Sequence, residues 1–146
     1  MSDSVQLRSG NQADESWLFE LFRTTMQPYI AAAWGWEELL QREGFTTSLP
    51  AREFQILEYN GTAIGSYHLA TNQDTLVLNM ILVEPKWQRQ GFGKIMMETV
   101  QRQASEQGKA VQLRVLQSNP AVQFHKQCGF SIEASDDHSL EMSWSD

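Results

Sequence analysis

The chain has 146 residues, 41% of them hydrophobic, with a formal net charge of −7, a length that suits one domain, residues 1–146, with a sizeable core. It shows none of the clustered Lys and Arg that nucleic-acid binding needs, no apolar run near the ~18 residues of a membrane span, and no signal-peptide pattern in "MSDSVQLRSG". Cys128 is the single cysteine, which excludes an internal disulfide and a thiolate-built zinc site; a cytoplasmic protein without nucleic-acid or membrane partners is expected.

In chain order, "SVQLR" (4–8) reads as a short strand. "NQADESWLFELFRTTMQPYI" predicts a helix with Asn11 as N-cap, acidic residues in its first turn, and Trp17, Leu18, Leu21 and Phe22 on its apolar face. Pro28 is expected to bend or end it. "WEELLQREGF" suggests a second helix after Gly35. Strands follow in "EFQILEY" and "TAIGSYHLATN", joined by an Asn60-Gly61 hairpin turn. "TLVLNMILV" (75–83) is apolar on both faces and therefore reads as central in its sheet.

A helix over Gly91–Gln107 places Phe92, Ile95, Met96, Val100 and Ala104 on one face and stops at Gly108. "AVQLRVL" is a buried strand, and "NPAVQFHKQCG" a helix with Asn119 as N-cap, Pro120 first and Gly129 last. "FSIEA", an Asp136-Asp137 turn and "HSLEMSW" form a closing hairpin, whose last strand leaves a homodimer open. The order is β-α-α-β-β-β-α-β-α-β-β.

Chemistry enters where strand 75–83 stops. Pro85 has no N–H to donate, so pairing ends there, leaving backbone groups of Ile81, Leu82 and Val83 for an extended ligand to pair with. The following helix mouth offers orphan N–H groups and a positive dipole end. Gly91 and Gly93 remove the Cβ atoms that would hold a phosphate away, and Arg89 and Lys94 add charge. A Walker loop and a dinucleotide fingerprint both fail, the latter because Met96 stands where its third glycine belongs. A ligand with both amides and a diphosphate fits this arrangement, and coenzyme A is one. A tight strand-to-helix connection is the plainer reading.

These residues resemble the GNAT superfamily of acyl-coenzyme-A-dependent N-acetyltransferases. Gln88-Arg89-Gln90-Gly91-Phe92-Gly93 matches its pyrophosphate loop, [QR]-x-x-G-x-[GA], and "VQLRVLQSNPAVQFHKQCGF" is similar to its second signature. The resemblance implies an α/β (α+β) fold: a central mixed, mostly antiparallel sheet of about seven strands, helices on both faces, and two neighbouring strands splayed around acetyl-CoA. It implies that amides of residues 88 to 93 hold the pyrophosphate, that Ile81 to Val83 pair with the pantetheine arm, and that Asn119 lies near the cofactor. No metal is expected. A primary amine of a small molecule or peptide would attack the thioester directly, with the Val83 N–H holding the oxyanion.

His125 stands where the family usually has the tyrosine that protonates the departing thiolate. It reads as general acid, as neutral N–H donor, or as a surface or cap histidine. The central strand lacks the glutamate that serves histone-modifying relatives as base. Glu37, Glu38, His68 or a water chain are the alternatives there, and Asn79 is the strand's lone polar residue. "PYIAAAWGWEELL" (28–40) matches the helix pair that covers the acceptor in this superfamily, and similar W-G-W-[ED] stretches belong to a little-characterised bacterial branch of it. Trp34 and Trp36 would wall a cationic amine, with Glu37 or Glu38 supplying charge; helix-packing tryptophans and solvated glutamates are the plainer reading. Cys128 reads as buried packing. The rival to an enzyme is a non-catalytic coenzyme A sensor on the same fold.

Overall fold

The computed structural model describes residues 4–146; the first three residues of the stretch read for a signal peptide lie outside the described residues. Seven strands form one sheet: β1 (Val5–Ser9), β2 (Phe54–Tyr59), β3 (Thr62–Thr71), β4 (Thr75–Val83), β5 (Ala110–Leu116), β6 (Ser131–Ser135) and β7 (Ser139–Trp144). Four helices join them: α1 (Glu15–Trp34), α2 (Glu38–Ser48), α3 (Phe92–Gln107) and α4 (Ala121–Gln127). The strand order is β1-β2-β3-β4-β5-β7-β6. β4 and β5 run parallel, whereas β1–β2, β2–β3, β5–β7 and β6–β7 are antiparallel. Among the described residues no helix is long and apolar enough to cross a membrane.

The chain divides into two compact units, Met1–His68 with Met80–Met96, and Leu69–Asn79 with Met97–Asp146. In the first, Asn11 opens the helical region through a capping box: its side chain accepts from the Ala13 N–H, and the Asp14 carboxylate accepts from the Asn11 N–H. Arg8 then grips Asp14 and Glu58 at 2.9 and 2.8 Å, tying this cap to β1 and β2. Pro28 does not end α1. Met26 and Ile30, on either side of it, both pack against the same core, so tertiary contact carries the helix over the missing N–H to Gly35 at φ +85°.

That core is aromatic. Phe22 and Phe45 stack with ring centroids 4.6 Å apart, Phe19 meets Phe45 edge-on at 5.9 Å, and Phe54 continues the cluster at 5.8 Å from Phe45. Each such fully buried side chain removes enough apolar area to contribute about 1.5–3 kcal/mol. Asn60 and Gly61, at φ +50° and +84°, turn β2 into β3 as the Asn-Gly pair predicts.

In the second unit, the Asn72 side-chain oxygen accepts from the Asp74 and Thr75 N–H groups and starts β4. Along α3, Met96, Met97, Val100 and Ala104 are fully buried, but Ile95 is 40% exposed, so Met97 occupies the inward position expected of Ile95. α4 begins at Ala121, one residue later than expected, with the Asn119 side chain still accepting from the Ala121 N–H. β7 is flanked by β5 and β6. It therefore has no open edge for pairing across a dimer; on this side of the sheet the edge belongs to β6.

Candidate active site

β4 sets the geometry. Its parallel ladder with β5 covers only Thr75–Leu78 against Ala110–Leu113, and the register does not extend to the residues after Leu78. At the far end the Glu84 N–H donates to the Ile64 carbonyl at 2.8 Å. Backbone groups alternate sides along a strand. Glu84 faces β3, so Leu82 does too, and an added Cβ on Gly65 of β3 would meet the Leu82 carbonyl at 2.9 Å. Val83 and Ile81 then direct their N–H and C=O groups away from β3. Of the three residues expected to offer an open edge, Leu82 is thus turned inward, and the Val83 carbonyl is taken by the Gln88 side-chain amide at 2.9 Å.

Pro85–Trp87 forms one 3-10 turn, capped where the Gln88 N–H reaches the Pro85 carbonyl at 3.3 Å. Arg89 then takes φ +62° and Gly91 φ +92°. The left-handed step at Arg89 is held by its neighbours' side chains: Gln88 on the Val83 carbonyl and Gln90 on the Lys86 carbonyl, both at 2.9 Å. Aromatic packing fixes both ends of the loop, Trp87 and Phe92 each lying 5.2 Å from the Tyr59 ring and 5.9 Å from one another. α3 starts at Phe92, one residue after the expected Gly91, because Gly91 has the wrong φ for a helical residue. Its carbonyl accepts the first helical bond, from the Ile95 N–H at 3.0 Å.

As a result, no N–H from Arg89 to Lys94 meets an acceptor among the described residues. A Cβ on Gly91 would have nothing within 4 Å. Consecutive N–H groups without acceptors at a helix mouth, an open glycine face and the exposed Arg89 and Lys94 form a donor array. These residues fit a diphosphate. Gly93 continues the array within the first turn of α3, while the Phe92 side chain is buried and serves packing.

On the acceptor side, Trp34 is 61% exposed whereas Trp36 lies against Phe22 and donates to Glu38 at 3.0 Å. Glu37 caps α2, accepting from the Leu40 N–H at 2.9 Å, and Glu38 is held by Arg23 at 2.7 Å. Both carboxylates are committed to the helix pair. The Trp36 and Arg23 contacts lower the Glu38 pKa below the usual carboxylate range. His68 is buried on β3 with Nε2 3.0 Å from Glu53, edge-on to Phe54. Asn79 is exposed on β4.

In the second unit His125 is 4% exposed, its ring near Phe124 and Phe130, and Nδ1 has no partner among the described residues. It is therefore not a surface histidine. Burial pushes its pKa down to about 4, leaving the imidazole neutral at pH 7. Its carbonyl closes α4, accepting from Cys128 and Phe130 N–H groups at 3.1 and 3.0 Å. Cys128 is half-buried and Asn119 precedes α4. Among the described residues, no group of three or more His, Cys, Asp or Glu could hold a metal.

One feature escaped the sequence reading. The outward face of β4, β5, β7 and β6 carries a groove of about 360 Å³ whose walls include Arg114, Glu133 and Glu141. The alternation in "VQLRVL" and "SLEMSW", with Arg114 and Glu141 at polar positions, marks that face; nothing in it told which strands would lie together.

The profile of the acetyltransferase (GNAT) family matches residues 16–130. The chain belongs to the GNAT acetyltransferase family. Members use acetyl-CoA as acetyl donor, so the loop at 88–93 belongs to an acetyl-CoA-dependent acetyltransferase. Among solved structures, the PaiA N-acetyltransferase of Thermoplasma acidophilum in complex with coenzyme A is 17% identical, with TM-score 0.80 and coverage of 98% of this chain and 99% of that one. The ribosomal-protein-S18-alanine N-acetyltransferase of Escherichia coli is 19% identical, with TM-score 0.73 and coverage of 96% and 92%. Naa50 of Arabidopsis thaliana, in complex with the bisubstrate analogue CoA-Ac-MVNAL, is 18% identical, with TM-score 0.72 and coverage of 98% and 99%. At these identities they show a shared GNAT fold. No curated protein matches the sequence.

Proposed function

We propose that the protein transfers the acetyl group of acetyl-CoA to a primary amine of a small molecule or peptide by direct attack. The observation that carries this reading is the run of N–H groups from Arg89 to Lys94 without an acceptor, at the mouth of α3 and directly after the end of β4. Amides of Gln88, Arg89, Gln90, Gly91, Phe92 and Gly93 would hold the diphosphate, with Arg89 and Lys94 adding positive charge. The outward backbone groups of Ile81 would pair with the amide-bearing arm, and Val83, whose carbonyl is held by Gln88, would meet the cofactor through its N–H.

Acetyl-CoA, when bound, supplies the thioester. The Val83 N–H, directed away from β3, is the donor for the charge that develops on the acetyl oxygen. His125, neutral and buried, acts as an N–H donor toward the leaving sulfur, with Asn119 ahead of α4 assisting cofactor binding. The acceptor nitrogen must lose a proton before it attacks. Glu37 and Glu38 are engaged elsewhere, which leaves His68 with its Glu53 partner, or water, to take it. Trp34, exposed at the end of α1, would border the acceptor together with Trp36.

Acetyl-CoA-dependent thiol release, measured against polyamines, amino acids, aminoglycosides and short peptides, tests the proposal. Release above hydrolysis with one class is the expected result. Tight acetyl-CoA binding without release to any of them would replace the enzyme with a coenzyme A sensor.

A further inference from the structure

A loop that offers N–H groups to a diphosphate has to turn its carbonyls elsewhere. Four successive carbonyls are tied back in this way. The Val83 carbonyl accepts from the Gln88 side chain, Glu84 from the Trp87 N–H, Pro85 from the Gln88 N–H and Lys86 from the Gln90 side chain. All these donors belong to residues 87 to 90, so the bonds shape the segment without fixing it to a neighbouring strand or helix. The N–H groups from Arg89 to Lys94, which meet no acceptor among the described residues, fix nothing either.

The attachment is made at Glu84, the residue between β4 and Pro85. Its φ of −50° and ψ of 135° suit a residue ahead of proline, and its N–H is held by the Ile64 carbonyl of β3 at 2.8 Å. Its carboxylate accepts from the Trp17 indole N–H at 2.9 Å, a bond that joins residues 67 positions apart. Trp17 is half-buried on α1 and packs against the core that holds Phe19, Phe22, Phe45 and Phe54. The core thus holds the indole ring, and the indole N–H holds the root of the loop. Trp87 and Phe92 add ring contacts to Tyr59, which are less directional than a hydrogen bond.

We infer that Trp17 and Glu84 are positioning residues for the cofactor loop: their hydrogen bond fixes its root, so that the N–H groups are aligned before coenzyme A arrives. The inference rests on the reading of residues 88–93 as the diphosphate site. Both side chains act through the loop rather than on the cofactor. Order lost with the bond is order that coenzyme A has to impose on binding, which lowers its affinity. The diphosphate is held equally before and during acetyl transfer, so KM for acetyl-CoA rises while kcat holds. The Glu84 N–H stays on Ile64 in either variant, which keeps the neighbouring Val83 N–H in place.

The test is calorimetric titration of coenzyme A, with thermal unfolding alongside, in wild type, Trp17→Phe, Glu84→Ala, their double variant, Glu84→Gln and Met142→Val. Trp17→Phe keeps a ring in the core and removes the donor. The expected result is a Kd raised about fivefold by Trp17→Phe and by Glu84→Ala, the net size of one hydrogen bond. The double variant should be no worse than either, because both changes remove the same bond. Glu84→Gln keeps an oxygen for the indole and should stay within about twofold of wild type. Met142, fully buried on β7 in the second unit, is the control: its variant should lose stability and keep its Kd. A Trp17→Phe Kd equal to that of wild type, or a Met142→Val Kd raised as far as that of Trp17→Phe, overturns the inference and leaves the loop assignment standing. So does acetyl-CoA turnover in which Trp17→Phe lowers kcat at unchanged KM. A wild-type protein that binds no coenzyme A sinks the loop assignment itself, and the inference with it.

Discussion

Gly91→Ala, set beside Gly61→Ala, isolates what the loop does for acetyl-CoA. Both glycines hold positive φ, +92° and +84°, and at both an added Cβ meets nothing within 4 Å. Neither substitution creates a clash, so each pays for backbone conformation alone, about 1–2 kcal/mol. For a chain of this size that corresponds to a Tm lower by about 3–8 °C in either variant. The two differ in what lies beside them. Gly61 turns a hairpin far in sequence from the loop, whereas the open space over Gly91 is where a diphosphate would approach the N–H groups of residues 89 to 94. A Cβ there shields at least one donor, and a hydrogen bond to a charged group contributes about 1.5–3 kcal/mol. Acetyl-CoA affinity should therefore fall about ten- to hundredfold in Gly91→Ala and stay at the wild-type value in Gly61→Ala. Titration calorimetry with coenzyme A, alongside thermal unfolding of both variants, reads the two quantities. Equal coenzyme A affinity in the two variants would refute the assignment of this loop to the diphosphate, whatever their stabilities.

Burial of His125 makes a prediction about pH. Its folded pKa, about 4, lies below the ~6.5 of an unfolded histidine, so the unfolded chain takes up a proton that the folded chain refuses. Its contribution is fully present above pH ~6.5 and is lost as pH falls toward 4, by about 3 kcal/mol; denaturant titrations should show His125→Phe losing less stability over that window than wild type. Between pH 6 and 8 the ring stays neutral, so the kcat profile should carry no His125 titration there, and a wild-type step that vanishes in His125→Phe would contradict the neutral donor. Phe45→Ala, which removes the ring stacked on Phe22 and touching Phe19 and Phe54, should cost about 3–5 kcal/mol in urea unfolding. Glu37→Ala should cost about 1 kcal/mol through the lost α2 cap, and an acceptor KM that rises while stability holds would move Glu37 from structure to substrate binding.

Much of the fold was legible because its signals are local. Asn11 with Asp14, Asn60-Gly61 and Gly108 state their backbone conformations in one or two residues, and the order of elements followed from them. The errors came where distant contacts decide. Of the two effects expected of Pro28, ending the helix fails because Met26 and Ile30 share one core on either side of it, and Ile95 reads as inward until Met97 is found there instead. Leu82 and Val83 look alike in a run of apolar residues, and only the hydrogen bond from Glu84 to Ile64 shows which of them faces β3.

The sequence alone determined the donor half of the chemistry, since a proline that ends a strand and glycines that open a helix mouth act on their own backbone. Only the tertiary structure decided the rest. It buried His125 and so took away its charge, and it committed Glu37 and Glu38 to a helix pair. It also gathered Arg114, Glu133 and Glu141 from three strands onto one groove. Desolvation, pairing and convergence depend on which residues meet, and the order of residues along the chain does not state that.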